Sequence, residues 1–438
     1  MNAHTVMDYK KLVSVAKNVD EKFNAFNAIN ENLSGGRPIS VKDNICVSGL
    51  ECTASSRVLR GYIPPFDATV VEKLKNKGFS VLGKTNMDEF GFGSFGLNTE
   101  KQTKNPFNPE YCAGGSSAGS AIATASIKDH ISIAESTGGS ISAPAAFCGV
   151  VGFTPTYGTV SRFGLIDYAN SLDKIGVMSR TSRDIREVFG IIRGGDERDT
   201  TSTDREVKDE PKRAVTVVDN LLDLVDGEVK EHFQDLLGKL MNAGFKVNHT
   251  KIEGIEYAVP VYYIISMAEA STNLAKYQGF KYGKGAVDYG TDYNTFFKRA
   301  RASFGAEAKR RIILGTFIRS ASVKSRYYEK ALRIRANLIK KLKVALKSGY
   351  LLSPTMPIKT PRIDEIERLS PAKIYAMDVL TVLPNLAGLP HMSFPYAYPE
   401  DMPIGAQIVG DHFDDYSVMS FVDEWEKSFK YKFKYSMG

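Results

Sequence analysis

The stretch GGSSAGSAIATASIKDHISIAESTGGSISAP, Gly114–Pro144, decides how this chain is read. It holds two glycine–serine knots, GGSS at Gly114–Ser117 and TGGS at Thr137–Ser140, joined by a run rich in Ala, Ile and Ser. Glycine beside serine lets the backbone take φ > 0 and come close to a ligand. Two such knots in one short span point to N–H groups and hydroxyls converging on a small anion or oxyanion. Taken alone, the same composition also fits two flexible surface loops. The flanking sequence has to arbitrate.

Working outward, Ser117–Lys128 reads as a small-residue helix and Ile131–Ala134 as a strand feeding the second knot. Upstream, residues 7–30 read as one amphipathic helix, with Leu12, Val15, Ala16, Val19, Phe23 and Phe26 at three- and four-residue steps. A Gly-Gly-Arg-Pro break follows, then a strand from Ile39 that carries Lys42. Asp67–Gly78 reads as a helix with an Asp cap and a terminal Gly, and Phe79–Leu82 as a short strand. This β–α–β rhythm predicts a layered α/β fold, with a central mixed sheet flanked by helices.

Downstream, Arg180–Ile192 and Glu228–Gly244 read as helices and Val215–Val218 as a strand. From about 257 to 347 the pattern is almost wholly helical, a cap-like excursion within a single domain spanning 1–438. Leu351–Pro357 returns as a strand, and Asp414–Lys432 as a closing amphipathic helix.

The bulk composition narrows the function classes. With 438 residues, 43% hydrophobic and 24% charged, the chain can bury a large core and is not a disordered one. A net charge of +7 (57 minus 50) permits contact with RNA but does not require it. The four cysteines form no CxxC and no zinc spacing, so reduced thiols and no metal site are expected. No apolar run approaches a membrane span, and the N-terminal stretch lacks a signal-peptide core. A cytoplasmic enzyme, with no membrane or DNA partner, is the expectation.

Three motifs compete for the chemistry. Gly91–Gly96 fits GxGxxG, but no apolar strand precedes it, so the dinucleotide reading is rejected. Gly115–Gly119 fits GxSxG with Ser117 as nucleophile, which would need a later His; His249, His391 and His412 carry no supporting signature. The third candidate is a lysine base. Lys42 at a predicted strand end can be desolvated into a proton acceptor, although a lone strand-end lysine also fits a snorkelling surface residue.

Read together, VKDN at Val41–Asn44, GKTNMDEFGFGS at Gly83–Ser94, GGSSAGS at Gly114–Ser120 and STGGSISAPAAFCGVVGFTPTYGTVSRFGL at Ser136–Leu165 closely resemble the amidase signature family. The resemblance implies a Ser–cis-Ser–Lys triad: Ser140 as nucleophile, Ser116 as the bridging serine after a cis peptide, and Lys42 as base. It further implies an oxyanion hole from the backbone N–H groups of Thr137, Gly138, Gly139 and Ser140, with Ser117 in a supporting role. Two positions depart from the family's D-T-G-G-S-I-R pattern. Ser136 stands where Asp is usual and Ser142 where Arg is usual, which reads as a neutral replacement of an ion pair.

Within that family the chain is most similar to the glutamine-hydrolysing subunits of tRNA-dependent amidotransferases. The likeness extends to YYIISMAEASTNLAKYQGFKYG (Tyr262–Gly283), GAEAKRRIILGTF (Gly305–Phe317) and NLAGLPHMSFPY (Asn385–Tyr396). It implies glutamine as substrate, gripped by Arg311 at the α-carboxylate and Asp378 at the α-ammonium, with Tyr262 lining the pocket. It also implies B-type and C-type partner subunits, no cofactor in this chain, and ATP with Mg²⁺ on the partner. Misacylated tRNA would be met mainly through that partner. The alternatives are a stand-alone amidase for small amides and a non-catalytic scaffold on the same fold.

Overall fold

The computed structural model describes residues 8–280, 282 and 292–428. Its centre is one mixed sheet of eleven strands. In chain order these are β1 Phe26–Ile29, β2 Arg37–Lys42, β3 Phe79–Thr85, β4 Ile131–Ser136, β5 Val151–Thr154 and β6 Lys174–Ser179. They continue as β7 Ala214–Val218, β8 Lys246–Thr250, β9 Tyr350–Pro354, β10 His391–Ala397 and β11 Ile404–Val409. The spatial order is β1-β3-β2-β4-β6-β5-β10-β11-β9-β7-β8.

At one end β2 lies parallel to both β3 and β4, and at the other β7 lies parallel to β8 and β9. The strands between are antiparallel. The parallel set β3-β2-β4 brings the carboxyl ends of β2 and β4 side by side. In open α/β sheets, the crevice at such ends is where ligands bind.

Local chemistry explains where the sequence reading and the chain part company. The first helix ends at Phe23, not residue 30, because Asn24 turns left-handed with φ 57°. Phe26 is then buried in β1 against β3 rather than on a helix face. The helix Thr69–Lys75 lacks a side-chain cap; Asp67 instead accepts from the Ser48 N–H and pairs with Lys75. Six strands escaped sequence reading, β1, β5, β6, β8, β10 and β11, the last two with apolar runs interrupted by Pro395 and Gly405.

The helix Ala118–Ser126 is buried at every position, which its run of small residues permits. The stretch 257–347 is helical where described, with Ala258–Asn273 and Ala306–Arg319 packed together. Gly315 makes that contact close, since a Cβ there would sit 1.9 Å from the Met267 carbonyl oxygen. The final helix is described to Ser428, so the last residues of the predicted Asp414–Lys432 helix lie outside the described residues. All four cysteines are free and buried. Among the described residues no helix is long and apolar enough to cross a membrane.

Candidate active site

Lys42 is the last residue of β2, and its side chain is fully buried. Its Nζ has three oxygen neighbours: Ser116 Oγ at 2.8 Å, the Glu135 carbonyl oxygen at 2.9 Å and Glu135 Oε2 at 2.8 Å. Ser116 stands in the loop before the helix Ala118–Ser126, and the Gly115–Ser116 peptide is cis. The two glycine–serine knots pack directly on one another. The Ser117 N–H donates to the Ser140 carbonyl at 3.1 Å, and a Cβ on Gly114 would lie 2.6 Å from Pro144 Cα.

Ser117 is thereby occupied as a scaffold, its hydroxyl donating to the Glu135 carbonyl at 3.0 Å. Ser140 instead faces a small cavity shared with Gly138, Gly139, Tyr262, Arg311 and Asp378. The backbone N–H groups of Gly138, Gly139 and Ser140 donate to no other backbone group among the described residues. Bulk is excluded here: a Cβ on Gly138 would come within 2.3 Å of the Tyr262 ring, and one on Gly139 within 2.4 Å of Thr381 Oγ1. None of His249, His391 and His412 lines this cavity.

Arg311 enters from the helix Ala306–Arg319, buried and ringed by Phe92, Tyr168, Tyr263 and Tyr375 at 5.0–5.6 Å. Its Nε donates to Glu307 at 2.8 Å and one terminal nitrogen to the Tyr168 hydroxyl at 2.5 Å. Its remaining terminal nitrogen donates to no group among the described residues, which suits a planar fork awaiting a carboxylate. Asp378 Oδ2 accepts from the Tyr263 hydroxyl at 2.5 Å and from Ser94 Oγ at 2.9 Å. Burial pushes the Asp378 carboxyl up to about 6 against those two hydrogen bonds and the Arg311 charge. The cavity therefore brings a cation and an acid together beside Ser140. An outer cavity of about 330 Å³ meets it at Gly93, Ser94 and Arg311.

Two residues here went unnoticed in the sequence. Tyr263 neighbours the expected Tyr262 but is the one bonded to Asp378. Glu135, near the end of β4, puts a buried carboxylate one position before Ser136. Ser136 Oγ reaches Asn385 Oδ1 at 3.4 Å, and Ser142 Oγ has no partner among the described residues.

The sequence profile of the family described as Amidase matches residues 1–419. This chain is an amidase-family protein. Its curated relatives include the A-type subunit of glutamyl-tRNA(Gln) amidotransferase from Saccharolobus solfataricus, 41% identical over 95% of this chain and 90% of that protein. The protein of the same name from Thermotoga maritima is 39% identical, over 95% and 90% of the two chains. A crystal structure of that Thermotoga maritima A-type subunit superposes with a TM-score of 0.83 at 34% identity, covering 98% of this amidase and 95% of that chain. A structure of 6-aminohexanoate cyclic dimer hydrolase shares the fold at 21% identity, with a TM-score of 0.82 over 98% and 95% of the chains.

Proposed function

We propose that this amidase is the glutamine-hydrolysing subunit of a tRNA-dependent amidotransferase. It supplies ammonia to a partner that amidates misacylated tRNA. The observation that carries the reading is that Ser140, Arg311 and Asp378 line one cavity, so a nucleophile and an amino-acid grip share a site. The relatives' names point to glutamyl-tRNA(Gln) as the acceptor. ATP and Mg²⁺ chemistry, and most contact with the tRNA, belong to the B-type partner, with a C-type subunit clamping the two in a cytoplasmic complex.

In the reaction, Ser140 Oγ attacks the side-chain carboxamide carbon of glutamine. Its proton passes to Ser116 Oγ, and the Ser116 proton to Lys42. The tetrahedral oxyanion accepts from the backbone N–H groups of Thr137, Gly138, Gly139 and Ser140. Collapse protonates and expels ammonia, leaving a γ-glutamyl ester on Ser140. Water then attacks that ester with the proton flow reversed, and glutamate leaves. Arg311 and Asp378 bind the α-carboxylate and α-ammonium, which selects a free amino acid over a simple amide.

The test is glutamine hydrolysis by the reconstituted complex carrying Ser140→Ala or Lys42→Ala. Both should lose activity by at least about 10²-fold. Retention in either variant refutes the assignment of that residue. Turnover of acetamide-like substrates by the chain alone, with no gain from partners or tRNA, would refute the subunit reading.

A further inference from the structure

Glu135 is the one carboxylate within hydrogen-bond distance of Lys42 among the described residues. Parallel pairing of β2 with β4 sets the two side chains together: Val41 lies opposite Ile133, so the strand ends carrying Lys42 and Glu135 run side by side. Side-chain exposure is 0% for Lys42 and 1% for Glu135, so water stands in for neither partner. Oε2 also accepts from Asn44 Nδ2 at 3.1 Å, and Oε1 accepts from the Thr137 hydroxyl at 2.7 Å.

The three oxygens around Nζ match the three hydrogens of an ammonium. An ammonium has no lone pair. It can take a proton from Ser116 only as it gives another away. Of its three neighbours, a backbone carbonyl and a hydroxyl are far weaker acceptors than a carboxylate.

We propose that the base of this site is the Lys42–Glu135 pair: Glu135 positions Lys42 through two acceptors and takes up the proton that Lys42 releases. The step balances. As the Ser140 oxygen–carbon bond forms, the Ser140 proton moves to Ser116 Oγ, the Ser116 proton to Nζ, and one Nζ proton to Oε2. Lys42 begins and ends as an ammonium, and Glu135 ends as a neutral carboxyl. Breakdown returns the proton along the same path to the leaving nitrogen. The proposal rests on the Ser140–Ser116–Lys42 relay proposed above.

The Thr137 hydroxyl lies between Glu135 Oε1 at 2.7 Å and Asp173 Oδ1 at 2.8 Å, and it has one hydrogen to give. Burial, reinforced by the Glu135 charge, pushes the Asp173 carboxyl well above the usual range. Asp173 also accepts from the backbone N–H groups of Tyr168 and Ala169. The other charged groups felt at this point are Lys174 on β6, which feels Glu135, Arg162 acting on Asp173, and Asp88, which feels Lys42.

The experiment compares the full chain in its complex with Glu135→Gln and Glu135→Ala, reading the pH profile of glutamine hydrolysis. Labelling of Ser140 by a diazoketone analogue of glutamine is followed in parallel. Both variants should lose roughly 10²–10³-fold in kcat, with KM moving less than about threefold. The acid limb of the residual activity should move to higher pH, because Lys42 must then lose a proton to solvent before it can accept one. Glu135→Gln keeps the volume and carries the test if Glu135→Ala fails to fold. A kcat within about threefold of the parent, or an acid limb moving to lower pH, overturns the proposal. Absence of labelling at Ser140 in the parent protein overturns the relay and this proposal together; labelling with an unchanged Glu135→Gln profile overturns this proposal alone.

Discussion

The Tyr263 hydroxyl donates to Oδ2 of Asp378 at 2.5 Å, across 115 residues of sequence. The bond ties the helix Ala258–Asn273 to the acid assigned to the substrate's ammonium. It also stabilises the charged form of a carboxyl that burial pushes up to about 6. Only the ionised acid attracts an ammonium. Binding strength is therefore full above about pH 6 and is lost as pH falls through it. KM for glutamine should rise correspondingly on acidification, and Tyr263→Phe should move that rise to higher pH. A KM that stays flat across pH 6 speaks against Asp378 as the ammonium partner.

Arg311 is buried and held by Glu307 and Tyr168, so its fork is fixed before substrate arrives. A lysine retains the charge but not the fork. Arg311→Lys should raise KM for glutamine by roughly 10–100-fold, the worth of one or two hydrogen bonds to a charged group, with a smaller change in kcat. Steady-state kinetics of the complex decide it. An unchanged KM removes Arg311 from the carboxylate's grip.

Gly138 sits where a Cβ would meet the Tyr262 ring at 2.3 Å. Gly138→Ala should displace either the ring or the loop that carries the N–H donors. Hydrolysis should fall by at least about 10²-fold, the worth of one oxyanion donor. Adding Tyr262→Ala should recover part of it. Full activity in Gly138→Ala means that the loop is not the oxyanion hole.

Lys174 is buried, and its Nζ has no partner among the described residues. Burial lowers it to about 7, whereas the unfolded chain holds the lysine proton to about pH 10.4. Between those values the unfolded state binds more protons, so stability rises with pH across the window. Lys174→Met should raise the melting temperature at about pH 7, and the gain should shrink toward about pH 10. An equal gain at both pH values would show that Lys174 folds without losing its proton.

How far the sequence alone reached is seen residue by residue. Lys42, Ser116 and Ser140 stand out as candidates because each sits inside a dense motif whose order is informative even when its parts are not, and the fold sets Lys42 against Ser116 and places Ser140 at the cavity. Arg311 and Asp378 were legible only through the wider resemblance, since a Lys-Arg-Arg run and a lone Asp carry no local signal. Tyr263 was hidden because Ala258–Asn273 is apolar on most faces, so periodicity does not say which tyrosine meets the cavity. Glu135 was hidden for a different reason. Its meaning lies in the β2–β4 pairing and in the carboxylate's reach to Lys42, which no one-dimensional spacing expresses. Asn24, whose left-handed turn ends the first helix, is a residue that tolerates that conformation, and it was legible in principle.

The most direct measurement is to quench the complex during glutamine turnover and locate the γ-glutamyl ester by peptide mass spectrometry. The ester should appear on the peptide containing Ser140, vanish in Ser140→Ala and fall sharply in Lys42→Ala. Ester on Ser117, or continued hydrolysis with no ester on Ser140, would contradict the assignment of Ser140 as nucleophile.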